Sequence, residues 1–177
     1  MCKRVDRPNF GLCLDTFQIA GMRLFICVSG GCTLRTDRPY AARAYADPTS
    51  GDSKLPGAQE RLADSLSALS KAISPEKIFY FQISDGSYRH GVDALKQTAE
   101  EQGIDPLYAW SNAWRPLPFQ DEIEGRSGVE GYGGYLPVVE ICEAVVKTGW
   151  KGPWSYEVGS IGLSRQDLVE VLDAGVL

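Results

Sequence analysis

The stretch that decides the fold is KIFYFQIS, residues 77–84, which is apolar at almost every position. A strand without polar alternation is typical of a parallel sheet covered on both faces, because a sheet with one wet face alternates apolar and polar residues. The segment before it, residues 57–73, has leucine or isoleucine every three or four residues, which predicts an amphipathic helix. A helix that leads into such a strand indicates an α/β fold.

On either side of this strand, the chain continues to alternate between strand and helix patterns. The predicted strands are residues 10–15, 77–84, 107–110 and 154–158, and the predicted helices are residues 57–73, 91–102, 136–147 and 165–172. This order predicts right-handed βαβ units around a parallel sheet. Four such units are half of a (β/α)8 barrel, which typically needs about 250 residues. The chain of 177 residues is therefore either a small open α/β sheet or part of a barrel.

Composition limits the classes of function. The chain is long enough for one domain with a core, and its net charge of −5 disfavours nucleic-acid binding. It has no apolar run of about 18 residues, so we predict no membrane span, and no glycine-rich phosphate-binding motif follows the first strand. The five cysteines are scattered without metal-binding spacing, and the first residues do not resemble a secretory signal. These features predict a cytoplasmic location.

Oxygen-bearing side chains lie at or near the carboxyl ends of three predicted strands: Asp15, Gln82 and Glu157. In barrels, active sites lie at the carboxyl ends of the strands. Two carboxylates and an amide suit Mg²⁺ or Mn²⁺ better than a metal that prefers thiolates. The alternative is that each residue is an ordinary cap or a hydrogen-bonded strand end, and spacing alone does not choose between the two interpretations.

Five stretches resemble the carboxyl-terminal half of one enzyme superfamily. They are VDRPNFGLCLDTFQIAG (5–21), KIFYFQISDG (77–86), PLYAWSNAWRPLPF (106–119), GGYLPVVEICEA (133–144) and GWKGPWSYEV (149–158). The superfamily is that of the xylose isomerase-like TIM barrels, and the most similar branch is the fungal one that includes the 3-dehydroshikimate dehydratases. The resemblance implies a parallel (β/α)8 barrel, of which this chain covers strands five to eight.

The resemblance also implies a metal site. Members of the superfamily bind one divalent metal through Glu, Asp, His or Gln, and Glu on strands four, five, six and eight. Asp15, Gln82 and Glu157 match the last three, with Mn²⁺ or Mg²⁺ as the expected ion. The strand-four Glu has no match, and its place would be before Met1.

Substrate-binding residues are implied in the same way: Gln18, Arg89, Ser111, Asn112 and Arg115. No residue matches a general base, because a glutamine at position 18 cannot take up a proton at neutral pH. The single histidine, His90, lies in the segment that matches least.

The implied function is that of a divalent-metal-dependent lyase acting on a small hydroxylated carbonyl substrate. The reaction would convert 3-dehydroshikimate to protocatechuate in quinate catabolism, with the metal as Lewis acid. A sugar (phosphate) isomerase or epimerase would use the same metal ligands, and a catalytically dead barrel fragment is the other open alternative. A DNA repair endonuclease of the superfamily needs several histidines and a basic face, which this chain lacks.

Two segments depart from the superfamily pattern. Residues 22–42 match nothing in it, and they are either a long loop after strand five or a translated intron. Residues 159–177 do not resemble the usual end of the barrel. We expect one partial barrel domain over residues 1–177, and we expect open barrel edges to favour self-association.

Overall fold

The computed structural model describes residues 7–20, 45–46, 48–49, 54–88, 91–118, 133–157 and 159–160. The insertion predicted at residues 22–42 and the helix predicted at residues 165–172 lie outside these ranges, as do Arg89 and His90. In chain order, the strands are β1 (Leu12–Asp15), β2 (Ile78–Ile83), β3 (Trp114–Arg115), β4 (Trp154–Tyr156) and β5 (Gly159–Ser160). The helices are α1 (Thr16–Ala20), α2 (Ala58–Ala72), α3 (Gly91–Gln102), α4 (Pro106–Ala113) and α5 (Val138–Lys147).

The central sheet is parallel and has the strand order β1–β2–β4. Asp15 pairs in register with Gln82, and Gln82 pairs in register with Ser155 on the other side. The backbone N–H of Glu157 donates to the carbonyl of Ile83 at 3.0 Å, which extends the β2–β4 pairing by one residue. The α/β class with a parallel sheet is confirmed, and an open sheet agrees with the prediction of an incomplete barrel.

The core lies between this sheet and helices α2 and α5. Phe81 of β2 is fully buried, and Leu62 of α2 and Ile141 of α5 belong to the same apolar cluster. The indole N–H of Trp150 donates to the carbonyl of Ile78 at 2.7 Å. This large aromatic side chain therefore packs at the start of β2 with its N–H hydrogen-bonded. The helix periodicity read from residues 57–73 therefore identified a core-facing side correctly.

The prediction that both faces of β2 are covered is wrong, because each face carries one exposed side chain. Tyr80 is 39% exposed, and its register partner Cys13 on β1 is exposed as well. Phe79, on the opposite face of β2, is 46% exposed. The apolar run of residues 77–84 correctly predicts the middle strand of a parallel sheet. It does not show that the sheet closes into a barrel.

The strand predicted at residues 107–110 is also wrong, because these residues lie in helix α4. The Asp105 carboxylate accepts hydrogen bonds from the backbone N–H groups of Leu107 and Tyr108, at 2.8 and 3.4 Å. Pro106 occupies the first helical turn, where its missing N–H costs nothing. The Asp-Pro pair is thus a helix start signal that outweighs the apolar run after it.

As a consequence, β2 and β4 are direct neighbours, and no strand from residues 107–110 lies between them. The short strand β3 follows α4 and pairs antiparallel with β5, in a second small sheet. No helix in the described part of the chain is long and apolar enough to cross a membrane.

Candidate functional site

Asp15 ends β1, and its carboxylate is buried at 6% exposure. Helix α1 starts at the next residue, and the backbone N–H of Gln18 donates to Asp15 Oδ1 at 2.8 Å. The Ser84 hydroxyl donates to the same oxygen at 3.1 Å. Asp15 is therefore a helix cap and a strand end at once, and its second oxygen, Oδ2, remains for another partner.

That partner is Arg115, which is 5% exposed and lies in β3. Its Nη2 donates to Asp15 Oδ2 at 2.7 Å, and its guanidinium carbon lies 4.7 Å from the centre of the Phe17 ring. An ionised carboxylate is costly to bury alone, so this ion pair and the stacking on the aromatic face make the burial of Asp15 tolerable. The backbone on both sides of Arg115 is held by β5 and by a hydrogen bond from Ser87 N–H to the Trp114 carbonyl, at 2.9 Å.

Glu157 reaches the same guanidinium nitrogen from β4. Its Oε2 accepts from Arg115 Nη2 at 3.0 Å, although the Glu157 side chain is 44% exposed. Partial burial raises the pKa of Glu157, and the neighbouring Asp15 raises it further, while Arg115 lowers it. Two of the three predicted metal ligands thus meet at one positively charged atom.

Gln82, the third predicted ligand, lies beside Asp15 in register on the neighbouring strand. Its side-chain oxygen accepts a hydrogen bond from the Cys13 thiol at 3.3 Å. Partial burial raises the pKa of this thiol, and the carboxylates of Asp15 and Glu157 raise it further. The Gln82 amide therefore lies at the expected edge of the sheet, where the strands have their carboxyl ends. Its oxygen is hydrogen-bonded to the Cys13 thiol.

The residues predicted to bind substrate are spread over several elements. Gln18 lies in α1 with an exposed side chain. Ser111 and Asn112 lie in the last turns of α4 rather than in a loop, and the Ser111 hydroxyl donates to the Tyr108 carbonyl at 2.8 Å. Arg115 is buried in the ion pair. Arg89 lies outside the described residues. The substrate-binding roles of all five residues stay predictions.

Comparisons with known proteins show what the chain is similar to. No protein-family model matches the chain. The 3-dehydroshikimate dehydratase of Neurospora crassa is 32% identical over 167 residues, which are 93% of this chain and 38% of that protein. The chain is therefore similar in sequence to part of this dehydratase. The resemblance read from its motifs is confirmed, and the chain spans less than two fifths of the relative that it matches.

A solved structure also aligns with the chain. It is a xylose isomerase-like TIM barrel/4-hydroxyphenylpyruvate dioxygenase fusion protein, with a TM-score of 0.46 and 20% sequence identity. The alignment covers 96% of this chain and 17% of that one.

The divalent metal expected from the sequence can be compared with the donor atoms at this site. Asp15, Glu157 and the Ser84 hydroxyl present oxygen atoms to one cationic nitrogen, and Gln82 adds an amide oxygen on the next strand. Such donors suit a hard divalent cation. No group of three His, Cys, Asp or Glu side chains in the described ranges has the arrangement of a metal centre. The donor chemistry fits Mn²⁺ or Mg²⁺, with two carboxylates that already converge on a positive charge.

Ser84 and Asp85 are site residues that the sequence reasoning missed. The Ser84 hydroxyl joins Asp15 to Arg115, and the Ser84 backbone exchanges hydrogen bonds with the Thr16 hydroxyl. The buried Asp85 carboxylate accepts from the backbone N–H groups of Gly86 and Leu136, at 2.7 and 2.8 Å, which ties the segment before α5 to the end of β2. Period-two alternation was the available signal for Ser84, because it places Ser84 on the same face of β2 as Gln82.

Proposed function

We propose that this chain carries the cation-binding edge of a divalent-metal-dependent lyase that acts on 3-dehydroshikimate or a similar hydroxylated carbonyl compound. The observation that carries the proposal is the convergence of Asp15 and Glu157 on one cationic atom at the carboxyl ends of two parallel strands. The sequence similarity to a 3-dehydroshikimate dehydratase supports this choice of substrate. The proposed location is cytoplasmic.

Asp15, Glu157 and Gln82 would hold the metal, and their combined charge of −2 favours a divalent ion over a monovalent one. A bound divalent cation supplies Lewis-acid polarisation of the substrate carbonyl, which makes the adjacent carbon more acidic. The chain's own residues hold this edge in shape: the Gln18 backbone N–H and the Ser84 hydroxyl both donate to Asp15 Oδ1 and so orient its other oxygen. In a dehydratase, a base would take the α-proton and the β-hydroxyl would leave as water, which makes the product aromatic; none of the described residues is assigned as that base.

The test uses the full chain, stripped with EDTA and then supplied with Mn²⁺ and 3-dehydroshikimate. We expect the absorbance of protocatechuate to appear, and we expect Asp15→Asn to abolish it, because the amide removes a charge from the site. Asp64→Asn is the matched control, since Asp64 is exposed on α2 and should leave the rate unchanged.

Two other outcomes would contradict the dehydratase proposal. Exchange of the substrate's α-proton with deuterated water, without protocatechuate, would indicate an isomerase or epimerase instead. If the chain binds Mn²⁺ but neither forms protocatechuate nor exchanges the α-proton, the chain has lost catalysis.

A further inference from the structure

Arg115 Nη2 lies at the point where three oxygen atoms converge. Asp15 Oδ2 is 2.7 Å away, Glu157 Oε2 is 3.0 Å away, and Ser84 Oγ is 2.6 Å away. The Ser84 hydroxyl gives its own hydrogen to Asp15, so its oxygen acts as an acceptor toward Arg115. One guanidinium nitrogen carries two hydrogens, so at least one hydrogen must be shared between two of the three acceptors. The oxygens are thus arranged as they would be around a point charge.

The Nε atom of the same guanidinium is a second observation on this position. Arg115 Nε is buried and has no hydrogen-bond partner among the residues that the structure describes. Arginine usually binds a carboxylate through two parallel N–H donors, which would engage two of its nitrogens. Here the ion pairs with Asp15 and Glu157 both use the single nitrogen Nη2, and the buried Nε–H is left unsatisfied at a cost in stability. Placement of positive charge between the two carboxylates is what this geometry achieves.

We propose that Arg115 is a built-in counter-ion that occupies the cation position of the site and is displaced when a divalent cation binds. The proposal rests on the proposed function, since the cation is the one assigned there to Asp15 and Glu157. In the metal-free protein, the guanidinium keeps two neighbouring carboxylates close without mutual repulsion. A divalent cation bound to the same oxygens would lie next to a like charge in a buried setting, which is strongly unfavourable. Arg115 and the metal therefore exclude each other, and the metal affinity includes the cost of moving Arg115 out.

The first test measures the affinity for Mn²⁺ by electron paramagnetic resonance, after treatment with EDTA. We expect Arg115→Gln to bind Mn²⁺ at least about tenfold more tightly than the wild type, because no internal cation must leave. Arg61→Gln is the matched control, since Arg61 is exposed on α2 and its Nη1 donates to the Pro56 carbonyl, away from the proposed cation position. Equal or weaker binding by Arg115→Gln would overturn the proposal.

A second variant tests the same position chemically. Arg115→Ala leaves space for a free guanidinium ion at the two carboxylates. We expect millimolar guanidinium chloride, compared with equal sodium chloride, to weaken Mn²⁺ binding by this variant and not by the wild type. Insensitivity of Arg115→Ala to guanidinium would count against competition for one cation position.

The third test needs no variant and therefore does not depend on how well a variant folds. Phenylglyoxal labels accessible guanidinium groups, and mass spectrometry locates the label. We expect Arg115 to be protected in the EDTA-treated wild type and labelled when Mn²⁺ is present. Protection that does not change with Mn²⁺ would overturn the proposal.

Failure of this proposal is distinguishable from failure of the proposed function. Equal Mn²⁺ binding by the wild type and Arg115→Gln would refute the counter-ion role and leave the metal site intact. No Mn²⁺ binding by either protein would refute both. The expected affinities and labelling, without dehydratase activity, would confirm the counter-ion role and refute the dehydratase alone.

Discussion

Ser84 connects the two charged partners of the site, because its hydroxyl donates to Asp15 Oδ1 and accepts from Arg115 Nη2. All three residues are buried: Ser84 follows β2, Asp15 ends β1, and Arg115 lies in β3 of the second sheet. In such surroundings, the loss of one hydrogen-bonding group leaves its partners unsatisfied, and the desolvation cost of those partners is no longer offset.

Substitution Ser84→Ala should lower the free energy of unfolding by about 1–3 kcal/mol, for that reason. Urea unfolding followed by circular dichroism measures the change. Ser67→Ala is the control, since Ser67 is exposed on α2 and should change stability by no more than about 0.5 kcal/mol. A Ser84→Ala protein as stable as the wild type would show that the hydroxyl does not support the ion pair.

The Cys142 thiol leads to a prediction about how stability and thiol reactivity depend on pH. Burial raises the pKa of its thiol from 9.0 to about 11, because the thiolate is poorly solvated inside the protein. In the unfolded chain the thiol ionises at a lower pH, so its contribution to stability is complete below pH 9 and is lost as the pH rises toward 11. At pH 8.5, iodoacetamide should modify Cys142 much more slowly in the native protein than in urea, as followed by mass spectrometry. Equal rates in both states would contradict the burial of the thiolate.

At the scale of elements, helix α4 determines where the site is built. It begins at the Asp105 cap, and its end leads directly into β3, which carries Arg115. The Trp110 indole N–H in α4 donates to the Ser87 carbonyl at 2.8 Å, which anchors the helix to the segment after β2. The position of Arg115 therefore depends on a helix that the apolar pattern alone did not reveal.

Replacement of the cap by Asp105→Ala should cost about 1 kcal/mol of stability, because two backbone N–H groups of the first turn lose their acceptor. Asp105→Ser is the control, since serine can cap the same groups and should retain most of the stability. Thermal unfolding of the three proteins measures the difference. Equal destabilisation by alanine and serine would mean that the carboxylate acts through its charge rather than as a cap.

At the scale of the whole molecule, the described sheet is open, and its middle strand carries one exposed aromatic side chain on each face. Tyr80 is 39% exposed and Phe79 is 46% exposed, both in β2, the middle strand. Exposed apolar surface next to outer strands favours association between copies of a chain.

We therefore expect sedimentation velocity to show self-association that increases with protein concentration. Tyr80→Glu should weaken it, because a charge on this exposed surface opposes contact. Val146→Glu is the control, since Val146 is equally apolar and 52% exposed but lies on helix α5. A compact monomer with cooperative melting at every concentration would contradict this expectation.

The predictable part of the fold is the part with strong local periodicity. The patterns at residues 57–73 and 77–84 correspond to α2 and β2, and the pattern at residues 91–102 corresponds to α3. Residues 107–110 were mispredicted because an apolar run of four is compatible with a strand or a buried helix turn, and the capping bonds of Asp105 decided between them. The exposure of Phe79 and Tyr80 could not be predicted, because burial of a strand depends on what packs against the sheet.

The sequence by itself determined the alternation of helices and strands, the oxygen-bearing residues at the strand ends and the similarity to a dehydratase, because each of these is written in local runs of residues. Only the tertiary structure decided that Asp15 and Glu157 meet, and that they meet at Arg115. Asp15 and Arg115 are 100 positions apart, and Arg115 is separated from Glu157 by 42. Such a contact depends on how β1, β3 and β4 pack, and packing is set by the summed burial of many side chains rather than by any one stretch. The buried carboxylate at the end of β1 required a cation, and the fold supplied one from the protein itself.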